Sequence, residues 1–207
     1  IFDYQTTPQS VVQRLHLMPL NNTQQHLIDW DIEVNGGIIV LKTADYHGNK
    51  IHLCNQHSSI QKFQIICRGR VNVIDMNGIV GKHDNEIPLE MFKNTTNLTS
   101  AGPRLRQLGK EMIKLGKSDS EINVLHALSE RLANDIKYTK GTTNTSTTAE
   151  MAIEIGAGVC QDHAHAFIAV ARYLGLSARY VSGYLLIRDK KIQNASHAWA
   201  EVFTDGL

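Results

Sequence analysis

The chain has 207 residues, 42% of them apolar and 20% charged, a balance ordinary for a globular protein and sufficient for a sizeable core. Its net charge of +1 gives no electrostatic case for nucleic acid or an anionic membrane as a partner, and no apolar run approaches the roughly 18–20 residues of a membrane span. The three cysteines, Cys54, Cys67 and Cys160, are too few and odd in number for a disulfide framework, which points to a reducing, cytoplasmic setting.

Residues 1–75 read as β. Leu15 and Leu17 alternate with Arg14 and His16, and "IIVLK" at 38–42 is a short apolar run. Ile51 and Leu53 alternate with His52 and Cys54, and Phe63, Ile65 and Cys67 with Gln64 and Ile66, before Val71 and Val73 continue the pattern. The turn signals "NNT", "NGG" and "HGNK" separate these runs. Short strands punctuated this way predict a small sandwich or meander.

Between 76 and 100 the pattern lapses, which predicts a linker holding at most one further strand. Helical period then takes over, with Leu105, Leu108, Met112 and Leu115 on one stripe. "SDSE" at 118–121 reads as a capping box with Ser118 at the N-cap, opening a helix with Ile122, Leu125, Leu128 and Leu132 on one face. "TTAE" at 147–150 reads as a second box, opening a short helix that ends near Gly156. A third helix carries Ala164, Phe167, Ile168, Ala171 and Leu174 as its stripe, with Gly175 as its stop. "ARYVSGYLLI" at 178–187 and "SHAWAEVF" at 196–203 read as strands joined through a turn at "RDKK", 188–191. On the second strand His197, Trp199, Glu201 and Phe203 share a face. The order of elements is α+β.

The chemistry concentrates in "GAGVCQDHAH", 156–165. Cys160 falls in the first turn of its helix, where free N–H groups and the positive end of the helix dipole favour thiolate over thiol. The preceding glycines leave little side chain in a substrate's way. Two other readings stay open. Cysteine is among the most buried residue types, and Cys160 lies four residues before Ala164 on the apolar stripe. Cys160 and His163 also share a helix face and could form half of a zinc site, although no CxxC or HExxH supplies the other half. A nucleophilic thiol needs a base, and His197, beside Trp199 on a strand that could pack over the helix, is the best candidate among ten histidines.

"GVCQDHAHAFIAVARYLGLSARYVSGYL", followed by "HAWAEVF", resembles the transglutaminase-like superfamily of papain-type thiol enzymes, whose pattern runs G-x-C-x-D-x-A, then R-x-x-G-(I/L)-x-A-R-x-V-x-G-Y, then H-A-W-x-E. "LMPL" at 17–20 and "DYHGN" at 45–49 resemble the β domain that precedes this core in bacterial members. Ser177 stands where the family often has proline. The resemblance implies a β-sandwich-like domain with its linker over 1–98 and a papain-like core of helices on an antiparallel sheet over 99–207, incomplete at its C-terminus. It implies that Cys160 is the nucleophile and His197 its base, acting on a peptide or protein amide with no cofactor and no metal. Hydrolysis through a thioester is the expected outcome, with protein-glutamine amine transfer or a silent scaffold role as alternatives. The family's orienting acid is expected beyond Leu207. Glu201 lies about 13 Å along the strand from His197 and Asp205 about 26 Å, too far for either carboxylate. Asp162 is expected to favour the helix dipole or a neighbouring arginine.

Overall fold

In the computed structural model, which describes residues 1–57, 60–83, 87–185 and 196–204, period-two patterning builds the first part of the chain and period-3.6 patterning most of the rest. Two compact units result, Ile1–Ile87 and Pro88–Leu207.

The first unit holds two antiparallel sheets of three strands each. One has β1 (Phe2–Asp3), β6 (Lys62–Val73) and β3 (Gln25–Asn35) in that order, and the other β2 (Val12–Leu15), β5 (Lys50–Gln56) and β4 (Gly37–Ala44). Their inner faces meet around Leu15, Cys54 and Phe63, with Ile32, Val34, Ile39 and Ile65 packed against them. Each fully buried large side chain contributes about 1.5–3 kcal/mol. The "NGG" signal becomes the turn from β3 to β4, where Gly36 takes φ 91°, a conformation that favours glycine. Strand β3 has no counterpart among the predicted strands, although Trp30, Ile32 and Val34 alternate with Asp31 and Glu33. Its acids turn outward and pair across β6, Asp29 with Arg70 at 2.5 Å and Glu33 with Arg68 at 2.9 Å. Such exposed pairs contribute less than about 1 kcal/mol each, so the apolar half of the alternation makes the strand.

In the second unit, the segment predicted as linker forms two 3-10 turns, Leu89–Lys93 and Asn97–Thr99. Phe92 is buried and stacks on Phe203 at 5.7 Å. Helix α1 (Pro103–Leu115) buries Leu105, Leu108 and Met112, and α2 (Glu121–Asp135) buries Val124, Leu125, Leu128 and Leu132. Ile122, predicted on the buried face, is 42% exposed, and Val124 takes its place. The cap of α2 is Ser120, not Ser118: its hydroxyl accepts from Asn123 N at 3.3 Å. Glu121 thus sits at the first helical position, where its charge meets the helix dipole. Thr148 caps α3 (Ala149–Ile155) by accepting from Met151 N at 3.2 Å.

A parallel bridge of β7 (Lys137–Tyr138) with β8 (Ala157–Gly158) leads into α4 (Cys160–Tyr173). β9 (Ser177–Gly183) and β10 (His197–Phe203) then pair antiparallel, from Gly183 opposite His197 to Ser177 opposite Phe203. Helix α4 covers one face of this pair, Ile168 and Ala171 packing on Ala178, Ala200 and Val202. The other face carries the Arg179–Glu201 ion pair at 2.6 Å and Phe203, with the Arg179 guanidinium over the Phe92 ring. The predicted "RDKK" turn lies outside the described residues. Ser177 donates its hydroxyl to Leu89 O at 2.8 Å.

Arg172 gathers these parts. Its Nε donates to Phe92 O at 2.8 Å, Nη2 to Ala178 O at 2.8 Å, and Nη1 to Thr99 Oγ1 at 2.8 Å. Burial pulls its pKa down, yet three acceptors hold the charge in place. Replacing it with methionine keeps the stem and strands those acceptors, at about 1–3 kcal/mol each. Arg172→Met is therefore expected to lose at least about 3 kcal/mol in urea unfolding, and Arg172→Lys to recover only part, because one ammonium cannot reproduce the planar fork.

Candidate active site

The entry to α4 is shaped by one buried acid. Asp162 is 1% exposed, and its Oδ2 accepts from Val159 N at 2.7 Å and from Thr143 Oγ1 at 2.6 Å. An acid at the third helical position reaching back to the N-cap amide is one half of a capping box. Valine has no oxygen to complete the other half, and Thr143, 19 residues earlier in a polar loop, supplies the second donor. Gly158 is required here by close approach, because a Cβ would stand 2.7 Å from the Asp162 side chain. The sequence offered the helix dipole or an arginine as partner for Asp162. The observed partners are a main-chain amide at the helix start and a hydroxyl.

Cys160 is the first residue of α4 and is half-buried. Neither of the other thiols shares that position. Cys54 is fully buried and Cys67 half-buried, and burial pushes both thiols' pKa up. His163 offers nothing to a metal: Nδ1 lies 2.9 Å from Val159 O and Nε2 2.8 Å from Ile136 O, so both ring nitrogens face carbonyls. Among the described residues no group of three His, Cys, Asp or Glu is placed to hold a metal ion.

One residue not singled out in the sequence stands over the same helix. Tyr180 of β9 lies opposite Ala200, on the face toward α4, with its ring 5.2 Å from that of His165. Its pKa is raised, first by burial and then by the charges of Cys160 and Asp162. His165 is buried, and burial pushes its pKa down against the opposing pull of Asp162. Alternation with buried Ala178 was signal enough to find Tyr180. Thr143 carries no local signal, since only the fold brings it to Asp162.

His197 opens β10 and packs edge-on against Trp199, ring centroids 4.6 Å apart. Along α4, Ala171 meets Ala178 and His165 meets Tyr180. The N-terminus of α4 therefore lies toward the Gly183–His197 end of the strand pair. The structure brings Cys160 and His197 to the same end of this layer. It does not join them: among the described residues no hydrogen bond links their side chains. The strand register sets His197 on the face of Trp199 and Glu201, opposite that of Ala198 and Ala200. Glu201 is engaged by Arg179 at 2.6 Å, and Asp205 lies outside the described residues. No described helix is long and apolar enough to cross a membrane.

This arrangement can be set beside known proteins. The description "Transglutaminase-like superfamily" matches residues 106–207, and "Bacterial transglutaminase-like N-terminal region" matches residues 1–72. An uncharacterised protein of Mycobacterium leprae is 31% identical over 116 residues, 54% of this chain and 40% of that protein. One from Mycobacterium bovis is 42% identical over 89 residues, 40% of this chain and 28% of that protein. The chain thus spans less than half the length of these curated relatives. In fold it is similar to a candidate cysteine protease from Cytophaga hutchinsonii, with a TM-score of 0.75 and 23% identity over 97% of this chain and 70% of that one. Both halves of the sequence and the fold agree, and the chain belongs to the transglutaminase-like superfamily, with the N-terminal region of its bacterial type.

Proposed function

We propose that the chain carries out thiol-dependent acyl transfer on amide bonds of a peptide or protein, with Cys160 as nucleophile, His197 as its base and water as the usual acceptor. The observation that carries this reading is the seat of Cys160 as first residue of a helix of 14 residues. There the dipole and free N–H groups favour the thiolate, which is the reactive form. The thiolate adds to the amide carbonyl, and main-chain N–H groups at the helix start meet the oxyanion. The C–N bond then breaks as the His197 imidazolium gives its proton to the departing amine. Water, losing a proton to His197, splits the thioester and releases acid and thiol. An amine in place of water gives a new amide by the same steps, but it has to outcompete a solvent that is always present. The imidazole must close on Sγ for this, and catalytic hydrogen bonds often tighten only when substrate binds.

One observation favours a second reading, a silent binding domain: the His197 ring rests on Trp199 rather than on the thiol. Alkylation separates the two. Limiting iodoacetamide at pH 7, followed by peptide mapping, is expected to label Cys160 at least tenfold faster than Cys54 or Cys67, and faster than a free model thiol. Labelling of Cys160 no faster than the model thiol would sink the activated-thiol reading.

A further inference from the structure

We infer that the open end of the N-terminal sandwich is a binding site for a small amphipathic carboxylate, an apolar chain or ring system ending in one carboxylate group. The inference is independent of the chemistry at Cys160. One end of the sandwich is packed by Leu15, Cys54 and Phe63. Toward the other end the sheets border a solvent-open cavity of about 540 Å³, within the range of small-molecule sites. Its apolar wall is Met18 with Ile32 and the Trp30 ring of β3.

The opposite wall is unusual for a sandwich interior. Side chains on one strand face alternate, so Lys50 and His52 share the inward face of core residue Cys54. Lys42 pairs directly with His52, and Ala44 with Lys50, which sets Lys42 on that same face. Two solvent-exposed lysines and a buried imidazole therefore border the cavity on this side. No acid of β3 answers them: Asp31 borders the cavity but alternates outward with Asp29 and Glu33, away from Trp30, Ile32 and Val34. His52 is 7% exposed, and its Nδ1 has no hydrogen-bond partner among the described residues. The Trp30 Nε1–H, which can only donate, is also buried without one. Burial and the neighbouring Lys42 push the His52 pKa down, which keeps the imidazole neutral and able to donate one proton. Unmet buried donors are costly, about 1–3 kcal/mol each. A carboxylate supplies acceptors and the missing negative charge in one group, and the apolar wall takes the rest of the molecule.

The chain has only two tryptophans, Trp30 and Trp199, so the whole chain gives two indole N–H signals by NMR, assigned with Trp30→Phe. Titration with dodecanoate below its micellar concentration is expected to move the Trp30 signal saturably and leave that of Trp199 in place. Dodecanol, with the same chain and no charge, is expected to bind at least tenfold more weakly. Lys42→Ala with Lys50→Ala, both at exposed positions, is expected to weaken dodecanoate by at least tenfold. A Trp30 signal that stays fixed overturns the inference. So does equal affinity for dodecanoate and dodecanol, which signals apolar partition only, or a folded double variant that binds as tightly as the parent chain.

Discussion

Replacing His197 with alanine is expected to lower amide turnover by about 10⁴–10⁶-fold, the cost of losing one member of a nucleophile–base–acid set. It is also expected to return Cys160 alkylation at pH 7 to the rate of an ordinary thiol. The two readouts belong together. A thiolate favoured by the helix terminus alone would keep its alkylation rate in His197→Ala and lose only turnover. One that depends on an imidazolium partner loses both. Stability should hardly change, because His197 is half-buried at the first position of β10 and its described contact is the Trp199 ring. Glu201→Gln is the informative contrast. Glu201 shares the face of His197 but is bound by Arg179, so its loss should cost stability and leave the alkylation rate within a few-fold. Should His197→Ala label and turn over as the parent chain does, the base is another group and the assignment falls.

Asp162→Ala is expected to cost about 3–4 kcal/mol in denaturant unfolding. Hydrogen bonds to a charged group contribute about 1.5–3 kcal/mol each, and the Asp162 carboxylate takes two, from Val159 N and Thr143 Oγ1. The loss is partly offset because Oδ1 is buried with no partner. Asp162→Asn should lose less, since a carbonyl oxygen can still accept from both donors. Thr143→Val should lose about 1–2 kcal/mol, and the double variant less than the sum, since the residues share a bond. Alkylation of Cys160 should slow in Asp162→Ala even where the protein is fully folded, because the amide it holds, that of Val159, is next to Cys160. Loss of under 1 kcal/mol with unchanged alkylation would show that the carboxylate holds nothing in place.

Much of the architecture is visible in the amino acids, and the departures have identifiable causes. The stripes of α1, α2 and α4 are local repeats of one residue type, so they survive translation into structure with an exchange such as Val124 for Ile122. The start of α2 shifts by two positions because Ser118 and Ser120 both offer a capping hydroxyl, and only the backbone decides between them. Position 197 was legible as a strand histidine beside an aromatic. Its place relative to Cys160 was not, since that depends on how β9 and β10 pair and which face α4 covers. The partners of Asp162 were hidden for a similar reason. Thr143 is one polar residue in a polar loop, and nothing short of the folded chain selects it over its neighbours. The pairing of Lys42 with His52 was also unreadable locally, because a bulge between Ile39 and Leu41 resets the register of β4.

The two turns at 89–99 bear on how such proteins can be recombined in evolution. Phe92 stacks on the last strand, Leu89 receives the Ser177 hydroxyl, and Thr99 and Phe92 satisfy Arg172. Residues that look like a tether between modules are thus part of the fold that follows them. Relatives that exchange their N-terminal regions intact must break the chain before Pro88. A crossover a dozen residues later would import foreign side chains into the packing around Phe203 and Arg172.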